Sequence, residues 1–348
     1  MEPDRNAILR ALDQVIDPEL QRPVTELDMV RGVSSADGIV SLTIVLTIAG
    51  CPLRESFQKQ VESALATVPG VKGFELSFGV MTPEERQALT TKLRGGATER
   101  DTVIRLPRDC RVIAVASGKG GVGKSSLTAN LAVAFSQLGK RVGILDADIY
   151  GHSIPHILGI HQKPVAVDEM IVPPVKDGMK LMSIGFFLDD NEPVMWRGPM
   201  LHRALEQFLS DVHWGELDIL VVDMPPGTGD VAISLGQLLP RAEVLVVTTP
   251  QPAAQEVASR AAVMAQKTSM RLVGVVENMS GDVFGSGGGQ RLADDLGVPL
   301  LATIPLDARL REAGDAGETL LTPEITALAE RVDALRAGTI RKPLTVVS

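Results

Sequence analysis

Residues 117–126 read Ser-Gly-Lys-Gly-Gly-Val-Gly-Lys-Ser-Ser, a run with four glycines and two lysines. The run fits a phosphate-binding loop, in which a glycine, four further residues and then Gly-Lys-Ser follow one another. Glycines let such a backbone curl so that successive N–H groups face a phosphate, and the next helix adds the positive end of its dipole. We therefore predict a nucleotide-phosphate site built from Gly118, Gly120, Gly121, Val122, Gly123, Lys124, Ser125 and Ser126.

The flanks of the loop predict the strand-loop-helix-strand unit in which such loops work. Residues 112–116 form a short apolar run that is typical of a buried strand. Leu127, Leu131 and Phe135 recur at helical spacing after the loop, and a second apolar run follows at 142–145. We predict an α/β fold in which a doubly wound parallel sheet carries the loop.

Carboxylates follow two strands of this predicted sheet. Asp146 and Asp148 come after the second apolar run, and a later run at 217–222 leads directly into Asp223. Because open α/β sheets bind ligands at the carboxyl ends of their strands, Asp223 is predicted to hold Mg²⁺ together with Ser125. A charge that only caps the end of a strand is the alternative interpretation of Asp223.

The chain resembles the Mrp/ApbC family, whose members are ATPases related to MinD, ParA and the nitrogenase iron protein and are described as iron-sulfur cluster carriers. The resemblance covers nearly the whole chain. It is carried by the loop with its second lysine, Lys119, and by residues 146–151, 195–200, 223–230, 277–280 and 304–307.

The resemblance implies a homodimeric ATPase that uses ATP and Mg²⁺, with a catalytic set of Lys119, Lys124, Asp148 and Asp223. Lys119 would reach across the dimer to the partner's nucleotide, so that two subunits complete each site. Asp148 would orient the attacking water, and Asp146 would support the Mg²⁺ shell. The N–H group of Gly227 would bind the γ-phosphate.

The resemblance also implies where the base of the nucleotide lies. Asn278 matches the asparagine that reads adenine, and the segment 304–307, with Pro305, would close the base pocket. Trp196 and Arg197 have two interpretations: a packed aromatic residue with a structural ion pair, or a role at the site.

The first 92 residues are predicted to form a separate small α/β domain. A helical stripe runs from Ile8 to Ile16, an alternating strand covers 40–48, and a helix and a further strand from about 73 to 80 follow. This part resembles the domain of iron-sulfur assembly factors. Residues 93–108 are predicted to be a linker and residues 109–345 the ATPase domain.

Cysteine usage bears on the iron-sulfur role. The chain has two cysteines, Cys51 and Cys110, which exclude a disulfide framework and a four-cysteine site within one chain. Cys51 is predicted to lie where a strand gives way to a helix, so that a thiolate contacting an iron-sulfur cluster and a small packed residue are both consistent interpretations. Cys110 is interpreted as a buried small residue.

The chain departs from the family after Ser280. Most members carry Cys-x-x-Cys between the Asn-Met-Ser and Gly-Gly-Gly stretches, and two subunits would hold a bridging cluster there. Residues 281–289 of this chain contain no cysteine. Two functions therefore stay open: an ATP-dependent iron-sulfur carrier or assembly protein with client or assembly partners, and a nucleotide-gated interaction switch of the MinD/ParA kind without a cluster.

Charge and hydropathy indicate which kinds of partner the protein is not expected to bind. The formal net charge is −9 and no segment is a basic tract, so we expect no nucleic-acid partner. No apolar run is long enough to span a bilayer, and residues 340–348 are too short and proline-broken for an amphipathic membrane helix. We expect no membrane partner and a cytoplasmic location.

Overall fold

The chain forms two compact units. The first comprises Met1–Asp101, Pro164–Pro173 and Asp211–His213, and the second comprises Thr102–Lys163, Pro174–Ser210 and Trp214–Ser348. The computed structural model describes residues 3–47, 54–93, 104, 106–107, 109–149, 151–188 and 198–335, with the side chains of residues 198 and 199 left out.

The described ranges contain strands and helices throughout, in an alternation that is typical of α/β proteins. The strands are β1 (Val30–Ala36), β2 (Ile39–Leu46), β3 (Gly73–Val80), β4 (Arg111–Ser117), β5 (Val142–Asp146), β6 (Val165–Val167), β7 (Met170–Val172), β8 (Val175–Lys176), β9 (Met179–Ser183), β10 (Ile219–Asp223), β11 (Glu243–Thr248), β12 (Arg271–Ser280) and β13 (Leu300–Pro305). The helices are α1 (Arg5–Leu12), α2 (Arg54–Leu65), α3 (Pro83–Leu93), α4 (Lys124–Gln137), α5 (Ile154–Ile157), α6 (Gly198–Ser210), α7 (Asp230–Leu238), α8 (Pro252–Lys267), α9 (Gly288–Leu296), α10 (Ala308–Asp315) and α11 (Pro323–Ala334).

In the first unit, β2 is the middle strand of a three-stranded sheet, antiparallel to β1 and parallel to β3. Its alternating pattern holds as far as Ile44, since Val40, Leu42 and Ile44 are buried, and it ends at Val45, which is buried on the other face. The predicted helical stripe is wrong at its end: α1 stops at Leu12, and Ile16 pairs instead with Pro23. After Leu12, N–H groups donate to the carbonyl three residues earlier instead of four, which ends the helix. The last of these hydrogen bonds joins the Val15 N–H to the Leu12 carbonyl.

The first unit also contains the antiparallel hairpin of β6 and β7. The Ile171 N–H donates to the Asp211 carbonyl at 2.9 Å, and the His213 N–H donates to the Ile171 carbonyl at 2.8 Å. Buried side chains of the hairpin join the core of this unit, namely Val167, Met170 and Val172. The predicted boundaries at 92 and 109 stay predictions; the structure adds two segments from beyond residue 109 to the first unit.

The second unit is built on a sheet in the order β13-β12-β11-β4-β10-β5-β9-β8 within the described residues. All its pairings are parallel except that of β8 with β9. Strands β5, β9 and β10 are buried along their whole length, which requires cover on both faces. The predicted fold class, a doubly wound parallel α/β sheet, is confirmed.

The register of the central strands sets the position of the polar side chains. Asp223 at the end of β10 is the partner of Asp146 at the end of β5, and Asp146 is in turn the partner of Ser183 at the end of β9. The phosphate-binding loop follows β4, which is the neighbour of β10. Parallel pairing therefore brings these groups to one edge of the sheet.

None of the helices in the described ranges combines the length and the apolar character that crossing a bilayer demands.

Candidate functional site

The phosphate-binding loop lies between the end of β4 at Ser117 and the start of α4 at Lys124. Gly121 and Gly123 have φ angles of +78° and +79°, a region that glycine enters at little cost. A Cβ at Gly118 would lie 2.2 Å from the backbone carbonyl carbon of Val257 in α8. The glycines are thus required by backbone curvature and by close packing. The geometry agrees with the predicted phosphate cradle.

Lys124 points into the end of the sheet. Its side chain is 5% exposed, and Nζ lies 2.6 Å from Asp223 Oδ2 and 3.4 Å from Asp148 Oδ2. The same Nζ lies 3.3 Å from Ser125 Oγ. The structure therefore brings together four residues that the sequence predicted for one site.

Asp223 is fully buried and is met by three side chains from the start of α4. Besides Lys124, Ser125 Oγ donates to Asp223 Oδ2 at 2.6 Å and Thr128 Oγ1 donates to Asp223 Oδ1 at 2.7 Å. Sequence reasoning missed Thr128. Its signal was available, since a residue one helical turn after the loop lysine lies on the same helix face.

Asp146 is held by donors from three segments. Ser183 Oγ donates to Asp146 Oδ2 at 2.9 Å, and the Asp148 N–H donates to Asp146 Oδ1 at 3.2 Å. The Ile154 N–H lies 3.4 Å from Asp146 Oδ2. Burial, followed by the charge of Asp223, raises the pKa of Asp146 well above its ordinary value. Sequence reasoning missed Ser183, because nothing local shows that β9 pairs with β5.

This set of groups fits a Mg²⁺ ion. Two carboxylates, those of Asp148 and Asp223, face one lysine, so a further cation is electrostatically favoured. Mg²⁺ takes hard oxygen ligands and is often bound through one or two carboxylates, with waters and substrate phosphates completing its shell. Within the described ranges, no three histidine, cysteine or acidic side chains are grouped to share one ion, and Mg²⁺ held in this way does not need such a group.

The two lysines of the loop differ in their surroundings. Lys124 is buried among carboxylates, whereas Lys119 is exposed. The Lys119 carbonyl accepts a hydrogen bond from Ser117 Oγ at 3.1 Å, which fixes the loop backbone at this residue. An exposed lysine beside a phosphate cradle is placed to meet a group outside its own chain, and its role across a dimer stays a prediction.

Gly227 lies against the phosphate-binding loop. Its φ angle is +82°, and its N–H donates to the Ser117 carbonyl at 2.8 Å. The sequence predicted that this N–H binds the γ-phosphate. In the arrangement seen here it is already bonded, so contact with a phosphate requires that bond to break. The role of Gly227 at the γ-phosphate stays a prediction.

In the order of the sheet, β12 and β13 lie on the side of β4 and its phosphate-binding loop that is opposite to β10. Asn278 is 9% exposed, and its Nδ2 donates to the Val122 carbonyl at 2.9 Å. Pro305 ends β13 as the partner of Ser280, and the Leu306 N–H donates to the Ser280 carbonyl at 2.9 Å. The structure therefore places Asn278 and Pro305 near the ends of two paired strands, β12 and β13. Adenine recognition itself stays a prediction.

The loop after Ser280 forms a small turn without thiol groups. The N–H groups of Gly281 and Gly285 each donate to the other's carbonyl, at 2.9 and 2.7 Å. Val283 is 73% exposed and Phe284 is 37% exposed at the tip. Glu277, which sequence reasoning did not single out, accepts from the N–H groups at the start of α9, namely those of Gly287 at 3.1 Å and Gly289 at 2.5 Å.

Three predicted residues lie outside the described residues: Cys51, Trp196 and Arg197. Their predicted roles stay predictions. Cys110 is half-buried, and its Sγ lies 3.6 Å from the Arg111 carbonyl oxygen.

The loop, its buried lysine and the acids at adjoining strand ends define a P-loop nucleotide-binding protein. Residues 110–337 match the family described as "NUBPL iron-transfer P-loop NTPase", and residues 5–76 match the family described as "Iron-sulfur cluster assembly protein". The chain belongs to this family of iron-transfer P-loop NTPases and carries an iron-sulfur cluster assembly domain ahead of it. The family resemblance predicted from the sequence is confirmed.

Individual proteins agree with this assignment. The chain is 54% identical over 330 residues to a protein of Mycobacterium leprae named "Iron-sulfur cluster carrier protein", covering 90% of this chain and 86% of that one. It is similar to a nucleotide-binding protein of Archaeoglobus fulgidus in complex with ADP, at 38% identity and a TM-score of 0.55, covering 62% of this chain and 90% of that chain. MinD of Pyrococcus horikoshii with Mg-ADP shares the fold, at 24% identity and a TM-score of 0.53, covering 66% of this chain and 98% of MinD.

Proposed function

We propose that the protein binds and hydrolyses ATP as a homodimer and serves as an iron-sulfur cluster carrier or assembly protein. The observation that carries the nucleotide part is the convergence of Lys124, Ser125 and Thr128 on one buried carboxylate, Asp223. The names of the relatives support the iron-sulfur part.

The phosphate chemistry follows from how the chain holds its charges. Asp223 and Asp148 hold the Lys124 ammonium group at the end of the loop, where it neutralises the β- and γ-phosphates of bound ATP. Mg²⁺, when bound, supplies positive charge that offsets the charge developing on the phosphate oxygens. Ser125 and Asp223 would hold it, with Asp146 supporting its shell.

In-line attack puts the water and the leaving ADP on opposite sides of the γ-phosphate. Each of them needs its own protein group. The Asp148 carboxylate accepts the Gly151 N–H at 3.1 Å through Oδ1, and its Oδ2 lies 3.4 Å from Lys124 Nζ. It would position the water for in-line attack. Lys119 of a second subunit would add positive charge as the bond to the leaving group breaks.

A subunit-mixing experiment tests the shared site. K124A removes the lysine that a subunit uses on its own nucleotide, and K119A removes the lysine that it lends to its partner. Each variant alone should be inactive. A mixed dimer would have one complete site, so an equal mixture should recover about a quarter of wild-type turnover per subunit, because about half the dimers are mixed. No recovery on mixing would rule out the cross-dimer site, and full activity of K119A alone would rule out its catalytic role.

The iron-sulfur part has its own test. Since clusters are held mainly by thiolates and residues 281–289 have none, anaerobic reconstitution should give little or no stable cluster, and any iron that does bind should depend on Cys51. C110S is the matched control and should bind as much iron as the wild type. A cluster that persists in C51S would refute the assignment to Cys51. No iron binding by the wild type would favour a nucleotide-gated interaction switch without a cluster.

A further inference from the structure

Asn278 contacts the backbone of the phosphate-binding loop. Its Nδ2 lies 2.9 Å from the Val122 carbonyl oxygen, and the residue is 9% exposed. The contact fixes the orientation of the amide, because the reversed amide would set Oδ1 against another carbonyl oxygen. Oδ1 is thereby turned away from Val122.

The bonded carbonyl belongs to the peptide that leads into Gly123. That peptide is trans and planar, so its C=O and N–H groups point in opposite directions. When Asn278 holds the Val122 carbonyl, the Gly123 N–H is directed to the other side of the loop. Loops of this kind bind phosphate through N–H groups that face their concave side, so the direction of this peptide decides whether the Gly123 N–H can take part.

The fit around Gly123 is close. A Cβ at this position would lie 2.3 Å from Asn278 Nδ2 and 3.3 Å from Met279 Cε. Two consecutive residues of β12 therefore both face the loop, which a regular strand does not allow. The strand is bent here: Met279 has a φ angle of +57°, and the pairing of β12 with β13 shifts between Glu277 and Ser280.

The bend is anchored on its other side. The Glu277 carboxylate accepts the N–H groups of Gly287 and Gly289 at the start of α9. Glu277 is 1% exposed, so these bonds are protected from water. The end of β12 is therefore fixed between α9 and the phosphate-binding loop.

We propose that Asn278 is a positioning residue for the phosphate-binding loop and that it strengthens phosphate binding independently of the base. The Asn278 amide holds the Val122–Gly123 peptide so that the Gly123 N–H faces the phosphate. The proposal rests on the proposed nucleotide binding and extends it, because a residue that only reads adenine has no effect on a ligand without a base.

Inorganic tripolyphosphate with Mg²⁺ separates the two roles, since it has phosphates and no base. N278A should weaken tripolyphosphate binding about tenfold, as expected for loss of one buried hydrogen bond, and ATP binding by at least as much. N278D should weaken tripolyphosphate further, because it sets a carboxylate oxygen against the Val122 carbonyl. Calorimetry with both ligands gives the comparison. An unchanged affinity of N278A for tripolyphosphate, with weaker ATP binding, overturns the proposal.

Asn130 provides the matched control. It is 2% exposed, its Nδ2 donates to the Ser126 carbonyl at 2.8 Å, and its Oδ1 accepts the Leu320 N–H at 2.8 Å. N130A also removes a buried amide from a carbonyl near the loop, but it leaves Val122 untouched. It should lower the melting temperature and change tripolyphosphate affinity less than twofold. A loss equal to that of N278A would make the effect one of general stability and overturn the proposal.

Hydrogen exchange of the ligand-free protein tests whether Asn278 holds the phosphate-binding loop, independently of nucleotide binding. Exchange over residues 118–123 should rise in N278A and stay near wild type in N130A. If the wild type binds neither ATP nor tripolyphosphate, the proposed function fails, while this measurement still decides whether Asn278 holds the loop. Equal exchange in N278A and the wild type overturns the positioning role.

Discussion

Each of the two units has neighbouring carboxylates that are buried or half-buried, and the two groups differ in their hydrogen-bond and charge partners. In the second unit, Asp148 and Asp223 lie 3.4 and 2.6 Å from the buried Lys124 ammonium group. In the first unit, Asp17 Oδ1 accepts the N–H groups of Glu19 and Leu20, at 2.8 and 2.9 Å. Burial raises the pKa of Asp17, and burial together with the Asp17 charge raises the pKa of Glu19 to about 7.

The difference shows two ways in which a protein offsets the free-energy cost of removing a carboxylate from water. A carboxylate removed from water must be paired with a cation or must take up a proton. Asp148 and Asp223 are paired with Lys124, and two carboxylates against one ammonium group leave negative charge that can attract Mg²⁺. Their neighbour Asp146, whose pKa is raised by burial, and Glu19, whose pKa is about 7, instead hold a proton more tightly.

The largest effect should follow removal of the cation from the paired group. K124A leaves Asp223 and Asp148 buried without their lysine, and breaking such a buried pair costs about 3–5 kcal/mol. We expect the ligand-free second unit to melt at a clearly lower temperature and ATP binding to be lost. Calorimetric melting and nucleotide titration measure both effects.

K119A is the control for this prediction, since Lys119 is an exposed lysine of the same loop. It should melt like the wild type and lose turnover while keeping most of its ATP affinity. Equal melting of K124A and the wild type would show that Lys124 does not stabilise the carboxylates.

A smaller effect should follow removal of a neutral donor from the same group. Thr128 is fully buried, and T128V keeps its shape while removing the hydroxyl from Asp223 Oδ1. A buried acceptor that loses its donor costs about 1–3 kcal/mol. We expect lower stability and a turnover several-fold below wild type, measured at saturating ATP.

T128S restores the hydroxyl and should recover most of the turnover, although it leaves a methyl-sized gap. If T128S and T128V are equally impaired, packing rather than the hydrogen bond to Asp223 explains the effect.

The smallest effect should be found in the first unit and should depend on pH. The folded-state pKa of Glu19 is about 7, above its ordinary value of 4.5, so the folded state binds the proton more tightly than the unfolded state. Its contribution to stability is complete below about pH 4.5 and is lost as the pH rises through about 7. The melting temperature of the first unit should therefore fall from pH 5 to pH 8.

E19Q removes the titrating group and should flatten this dependence. E26Q is the control, because Glu26 forms an exposed ion pair with Arg22. A slope that is the same in E19Q and the wild type would show that Glu19 does not titrate in this range.

Sequence reasoning worked best where the signal is local. The loop, its flanking strand and helix, and the acids at strand ends are each contained within a few residues, and the structure brings Lys124, Ser125, Asp148 and Asp223 together. It failed where partners are distant: Ser183 meets Asp146 across a strand pairing, and the Glu277 carboxylate meets the start of α9. The helix end at Leu12 was also missed, because apolar spacing continues past it.

The sequence by itself determined the class of protein, since the glycine-rich loop with its lysine is recognisable within ten consecutive residues. It also determined the family and the absence of cysteines in residues 281–289. Only the tertiary structure decided that the Gly227 N–H bonds to Ser117, that Asn278 holds Val122, and that the β6–β7 hairpin belongs to the first unit. The physical reason is that these contacts join residues far apart in the chain, and strand order and register, which no local pattern encodes, bring them within hydrogen-bond distance.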